Sequence, residues 1–445
     1  MKLWQKHTTK TSALVEAFTT GRDREMDLYL APYDVLGSLA HVKMLTSIQL
    51  LTAEEGDMLT KELRRIYQQI LNEGIELPAE VEDIHSYMEL LLTQLLGDTG
   101  KKIHAARSRN DQVLVDIRLF LRQEVEEIVQ ATASLFELLQ RQSEQFKHHL
   151  MPGYTHLQLA MPSSFGLWFG AYAESLVDDM VALQAAYQVI NKNPLGSAAG
   201  YGSSFPVNRT LTTALLGFDT LNYNVVYAQM SRGKSERITA AAIASLADTL
   251  ARISMDACLF LNQEFNFISF PAELTTGSSI MPHKKNPDVL ELIRAHCNRL
   301  KALPNELALI STNLPAGYHR DWQLMKEHLF PAFQNLKDCL QMLERMLAQV
   351  TIRENILEEE KYKYLFSVEE VNRLVQQGIP FREAYRQVGD SIERGEFAPA
   401  TAIHHTHEGS IGNLCNDQIR EEMHRVVAGF PFERVNSALK SLLAG

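Results

Sequence analysis

Residues 108–150 read SRNDQVLVDIRLFLRQEVEEIVQATASLFELLQRQSEQFKHHL, a run without a proline or a glycine. Ile117, Leu121, Val125, Ile128, Leu135 and Leu139 recur at steps of three, four or, once, seven positions, the spacing of one face of an α-helix. About forty residues of helix would extend roughly 60 Å, far beyond the three or so turns of an average helix. Leu119, Phe120, Val129, Phe136 and Leu138 widen the stripe past a single seam. A helix patterned this way is buried on more than one side.

Four further long segments follow, at about 163–191, 233–265, 288–312 and 321–350, each rich in Ala, Leu, Ile and Met. Gly, Ser and Pro fill the breaks, and no period-two alternation longer than a few residues points to a strand. The expected fold is all-α, with three helical domains: 1–105, a central bundle of five very long helices at 106–351, and a small domain at 352–445. In the first, Leu36 to Leu45 and Met58 to Ile70 mark two helices, and a third begins at Val81–His85. In the last, Gly378-Ile379-Pro380 separates two short helices, and another runs through Val435 and Leu442. A bundle so elongated leaves more apolar flank than one chain covers, which predicts a homo-oligomer.

Composition narrows the function. A formal net charge of -11 argues against nucleic-acid and anionic-membrane surfaces, so an anionic substrate would need a local cluster of cations. Cys258, Cys297, Cys339 and Cys415 are widely spaced with no CxxC pair, as expected of reduced thiols in a cytoplasmic protein. The first residues, Met1 to His7, hold no apolar signal segment.

The densest chemistry lies in Gly277-Ser278-Ser279-Ile280-Met281-Pro282-His283-Lys284-Lys285-Asn286-Pro287. Two prolines disfavour helix at the residues before them, so this is an ordered loop. Asn286-Pro287-Asp288 then reads as N-cap, first-turn proline and acidic first turn. Hydroxyls, cations and an amide ending at a helix N-terminus form an anion cradle.

Four other stretches carry weaker signals. His104-Ala105-Ala106-Arg107-Ser108-Arg109-Asn110-Asp111 puts two arginines at the start of the longest helix. Ser108 with Asp111 fits a capping box, which does not account for the arginines; their forks suit carboxylate binding. Pro152-Gly153-Tyr154-Thr155-His156-Leu157-Gln158 places a histidine, suited to acid–base work, in the break before the second long helix. Tyr318-His319-Arg320-Asp321-Trp322-Gln323-Leu324-Met325-Lys326 is either a charged helix start or more cations for the same anion. Gly196 to Ser204 lacks the lysine and preceding strand of a phosphate loop and reads as close backbone packing. The His404-His405-Thr406-His407-Glu408 run lacks complementary metal ligands.

The loop at 277–287 resembles the GSSxMPxKxNP signature of the fumarase/aspartase superfamily at every fixed position. The spelling of His104 to Gln112, Pro152 to Gln158, Gly37 to His41, Glu82 to His85, Pro194 to Ser197 and Pro380 to Ala384 is similar to the argininosuccinate lyases, almost throughout the chain. That resemblance implies cleavage of argininosuccinate to arginine and fumarate, with no cofactor and no metal. It implies Ser278 as general base, with Lys284 and Asn286 stabilising the aci-carboxylate formed. His156, with Thr155, would bind substrate and help protonate the departing nitrogen. Ser108, Arg109, Asn110, Tyr318, Gln323 and Lys326 match substrate-binding positions, and Asp27 and Asp83 would meet the cationic arginine end. The implied assembly is a homotetramer whose sites each draw on three subunits. The sequence departs from the family at Leu3–Lys6, at 19–27, where Asp23 stands at a common serine position, at Met230–Lys234 and at His283. Adenylosuccinate lyase, aspartase and a non-catalytic crystallin-like relative are the alternatives.

Overall fold

The computed structural model describes residues 12–78 and 81–444; Leu3–Lys6 lie outside them. Helices α1 (Ala31–Ser47), α2 (Ala53–Glu73) and α3 (Ile84–Leu96) form the N-terminal part. Each boundary has a local cause. A capping box between Thr52 and Glu55 opens α2, and Gly74, at φ +75°, closes it. The Asp83 carboxylate accepts the Ser86 N–H at 2.7 Å and starts α3.

The longest helix, α4 (Arg109–Gln145), begins at the Ser108/Asp111 capping box. Asp111 through Arg122 are buried without interruption, so the widened apolar stripe is matched by neighbours on every side. Two arginines go inside with it, because other elements offer acceptors. Arg118 donates to the Val189 carbonyl and Ser231 Oγ. Arg122 donates to Asn191 Oδ1 and the Leu216 carbonyl and lies over the Phe218 ring. Helices α5 (Phe165–Ile190) and α9 (Leu324–Ala348) pack along α4, and α6 (Lys234–Leu261) packs against α5. Helix α7 (Asp288–Leu300) lies on both α6 and α9. One continuous core runs from Met26 through the bundle to Leu442. A separate small core (Val371, Ala384, Val388, Phe397) forms among the short C-terminal helices.

Three local readings are corrected. The segment expected as one helix at 288–312 is two, α7 and α8 (Leu303–Ile310). Pro304 lacks an N–H and its ring collides with the carbonyl four residues back, which is Leu300, the last residue of α7. The break at Pro152–Gln158 is a hairpin, β1 (Leu150–Thr155) against β2 (Gln158–Ser164). Prolines at 152 and 162 and the irregular register at Gly153 hid its alternation. Finally, Asn286 does not cap α7. It pairs with Thr276, as Lys285 does with Gly277, in a short antiparallel ladder, and the Thr276 hydroxyl donates to the Asp288 carboxylate at the helix start.

Candidate active site

A cavity of about 190 Å³ opens where the starts of α3 and α4 meet the segment entering α9. Asp27, Asp83, Arg109, Asn110, Tyr318, Gln323 and Lys326, all expected from sequence, line it together. Its interior is a mosaic of opposite charges. Arg109 donates to Asp83 at 2.9 Å and to Ser86 Oγ at 2.6 Å, so its fork is aimed before any ligand arrives. The Lys326 amine lies 2.5 Å from both Asp23 and Asp27, and Asp27 also accepts the Ile84 N–H at 3.2 Å. Gln323 donates to the carbonyls of Thr19 and Thr20, holding the 19–27 segment against the start of α9.

The charge states follow from these contacts. Burial lowers the affinity of the Lys326 amine for its proton, but Asp27 and Asp23 outweigh it and the pKa is raised. Burial likewise works against ionised Asp83, yet His85, Arg109 and Ser86 hold its carboxyl below the ordinary range. Asp23 goes the other way: burial, only partly offset by Lys326, pushes it up to about 6.

From His85, in the cavity wall, a second polar layer runs inward. His85 Nδ1 is 3.0 Å from Asp34 and 3.4 Å from Asp116, and Gln112 donates to Asp34 at 2.5 Å. Burial opposes a charged His85, but the Asp34 hydrogen bond and charge raise its pKa. Asp116 is pushed well up by burial and by Asp34, which favours its protonated form.

The remaining expected residues lie elsewhere on the chain. Ser108 does not line the cavity; its Oγ accepts the Asn110 N–H at 3.3 Å as the cap of α4. Thr155 and His156 are exposed at the hairpin end. His156 and Leu157 have φ of +53° and +60°, the signs a two-residue primed turn demands. Neither is glycine, and such backbone is costly and concentrates at functional sites. Ser278 and Lys284 stand on the loop held at its neck by the Thr276–Asn286 ladder, with Lys284 exposed. Ser278 Oγ accepts the N–H groups of Ile280 (3.4 Å) and Met281 (3.1 Å). Neither the hairpin end nor the loop contributes to the lining of the cavity.

Asp23, His85, Arg232 and Arg320 also line the cavity and were not assigned to it from sequence. Asp23 and Arg232 fell in stretches that depart from the family, and Arg320 was one charge in an ambiguous run. His85 was inside a matched motif, the one signal that pointed to it. The Gly196–Ser204 loop is structural: Asp111 Oδ2 accepts the N–H groups of Gly196 (2.9 Å) and Ala198 (2.8 Å).

Comparison with known proteins decides the family. A family model described as Lyase matches residues 5–301. The argininosuccinate lyase of Bacteroides fragilis is 60% identical over 442 residues, covering 99% of each chain. This chain belongs to the argininosuccinate lyases. That of Parabacteroides distasonis is 59% identical over 450 residues, covering 100% of this chain and 99% of the relative. More distant argininosuccinate lyases, such as that of Stenotrophomonas maltophilia at 36% over 421 residues, still cover 94% of the chain. The fold extends further. A variant of EDDS lyase with bound fumarate superposes with a TM-score of 0.77 at 22% identity, covering 98% of this chain and 95% of that one. A class II fumarase from Schistosoma mansoni superposes at 0.70 and 15%, covering 94% and 95%. The all-α long-helix bundle expected from sequence is the architecture these neighbours have.

Proposed function

We propose that this chain cleaves argininosuccinate to arginine and fumarate by a cofactor-free β-elimination. The observation that carries the mechanism is the pair of backbone N–H groups on Ser278 Oγ. A neutral serine is too weak to take a proton from carbon; N–H donors already aimed at its oxygen favour the alkoxide. Ser279 has no such donors among the described residues. In the proposed cycle Ser278 Oγ takes the proton from the succinyl carbon beside a carboxylate, and the electron pair moves into that carboxylate. Lys284 and Asn286 stabilise the resulting aci-carboxylate. The pair then returns to form the fumarate double bond as the C–N bond breaks, and the leaving guanidino nitrogen is protonated by His156 or a water that it orients. Freed from helix capping, the Asn286 side chain is available for this role.

In the same reading the cavity holds the rest of the substrate. Arg109, aimed by Asp83 and Ser86, takes a carboxylate with Asn110, Tyr318 and Gln323. Asp27 and Asp83 face the cationic arginine end while Lys326 balances the charge of Asp27 and Asp23. Ser108 acts by fixing the helix start that carries Arg109 and Asn110.

We further propose a homotetramer in which each site is completed by more than one chain. Two facts support it: the loop with Ser278 and the hairpin with His156 are exposed, and neither lines the cavity that gathers the other groups. Exposed Leu292 and Leu309, at 60% and 66%, lie on α7 and α8 as apolar flank that an assembly would cover. Four free cysteines fit a reducing cytoplasm.

The test is fumarate absorbance after separate incubation with argininosuccinate, adenylosuccinate and aspartate. Fumarate from argininosuccinate is the expected result. Its absence, or a faster reaction with either of the others, overturns the assignment.

A further inference from the structure

Ion pairs account for the cations around the site cavity one by one. Arg109 faces Asp83 at 2.9 Å, Arg320 faces Glu82 at 3.3 Å, and Lys326 donates to Asp27 at 2.5 Å. Arg232 turns to Glu236, at 2.7 Å, outside the cavity lining. His85 has Asp34. The carboxylates in the lining are Asp23, Asp27, Glu82 and Asp83, and this matching leaves Asp23 over. Its ion-pair partner among the described residues is Lys326, the amine that Asp27 already holds.

Position separates the two aspartates. Both stand on one short helical turn, Asp23–Asp27. Asp27 is sealed: its side chain is 2% exposed, and its second oxygen accepts the Ile84 N–H. The Asp23 side chain is 18% exposed and lines the cavity, so it meets whatever enters. The same matching explains its proton affinity. Burial opposes its charge and Asp27 adds a second negative one, so Lys326 and Arg232 do not return its pKa to the ordinary range. The sequence departs from its family here, where a serine is common, and a serine would bring no charge.

We propose that Asp23 is a specificity-determining residue for the arginine half of the substrate, where it takes a cationic nitrogen and releases its own proton to solvent. The identity of the ligand rests on the lyase reading above. An arriving cation balances Asp23 without competing for Lys326, which no group of the free cavity does. Ammonium and guanidinium share this chemistry. Around Asp23 stand Asp27 on its own turn, Lys326 on α9, and Tyr318 and Arg320 on the segment entering α9. Glu82, Asp83 and His85 face it from the start of α3, Arg109 from the start of α4, and Arg232 from the chain ahead of α6. A cation binds the ionised form of Asp23, so affinity should fall as pH falls through 6.

Calorimetric titration of L-arginine into the assembled protein, in two buffers of different ionisation enthalpy, reads affinity and protons together. About half a proton per site should be released at pH 6, and Kd should be about tenfold weaker at pH 5 than at pH 7. Asp23→Ser and Asp23→Asn should release none and bind equally at both pH values. Proton release with L-citrulline but not with Nα-acetyl-L-arginine assigns the α-ammonium to Asp23; the converse assigns the guanidinium. Release that survives in both variants overturns the proposal. So does wild-type binding of equal strength at pH 5 and 7, or no binding of L-arginine, and these results hold whether or not the variants fold. Fumarate release from argininosuccinate tests the lyase reading separately. Proton-linked arginine binding without turnover would sink that reading alone, and turnover with pH-independent arginine binding would sink only the role of Asp23.

Discussion

The Lys326 amine lies 2.5 Å from a carboxylate oxygen of Asp27, with both residues buried. This pair joins the first turn of α9 to the 19–27 segment in the lining of the site cavity. Removing one partner of a buried pair strands a charge, at about 3–5 kcal/mol. Asp23 remains beside Lys326, so Asp27→Asn should sit at the low end of that range and Lys326→Met, which leaves two carboxylates, at the high end. Urea denaturation of the two variants gives the order; the reverse order would show that Lys326 is not the group these carboxylates neutralise.

The layer behind the cavity gives a sharper contrast. Burial and Asp34 push Asp116 towards its protonated form, whereas Asp34 is kept below the ordinary range, burial being outweighed by His85 and Arg107. Asp116→Asn replaces a neutral acid with a neutral amide and should change stability by less than about 1 kcal/mol. Asp34→Asn removes the partner of a buried charged histidine and should cost about 3–5 kcal/mol. Comparable losses in thermal or urea melts would contradict the assigned charge states.

The pH dependence of stability should carry the mark of Asp23. Its folded pKa, about 6, is raised above the ordinary 3.8. Between those values the folded chain keeps a proton that the unfolded chain has released, so this group's contribution is greatest below about pH 4 and is lost as pH rises through 6. Asp23→Asn should flatten that part of the profile. An identical slope in wild type and variant between pH 4 and 6 would rule out the shift.

Ser278→Ala should lower turnover by at least about 10²–10³, the scale for a key catalytic group, with helicity and assembly unchanged. Ser279→Ala should lose far less, because its hydroxyl lacks the backbone donors that Ser278 has. Single-turnover rates of the two variants decide; a crippled Ser279→Ala would move the base by one position.

Leu157 is 84% exposed at φ +60°. Left-handed backbone costs a non-glycine residue roughly 1–2 kcal/mol, and glycine returns about 0.4–1 of that through its freer unfolded chain. Leu157→Gly should therefore stabilise the fold by up to about 1 kcal/mol, visible as a higher melting temperature. A lower one would mean that the leucine side chain is covered in the assembly.

Much of this was legible in the sequence because helices announce themselves locally. The period along Ile117 to Leu139, the Ser108/Asp111 cap and the glycine after Glu73 each fix structure through neighbours within a few residues. The hairpin at 150–164 was not, because its strands are proline-broken and its tip uses His156-Leu157 where Asn-Gly would have signalled a turn. The division of α7 from α8 was available in Pro304 and was hidden by the apolar residues on either side. Asn286 looked like a cap because Asn-Pro-Asp has that spelling; the ladder to Thr276 is a contact across ten residues that spelling does not encode. The charge cavity was partly legible through family-like motifs, but the pairing of Lys326 with Asp23 and Asp27 spans the whole bundle. No local pattern records it.

Asp111 has one oxygen on the start of its own helix and the other on a loop 85 residues later. That single carboxylate makes the aim of Arg109 and Asn110 depend on chain that is synthesised well after them. A ribosome-bound chain ending before Gly196 would possess the helix yet leave its first turn unanchored, so competence for ligand should arrive late and abruptly as the chain emerges.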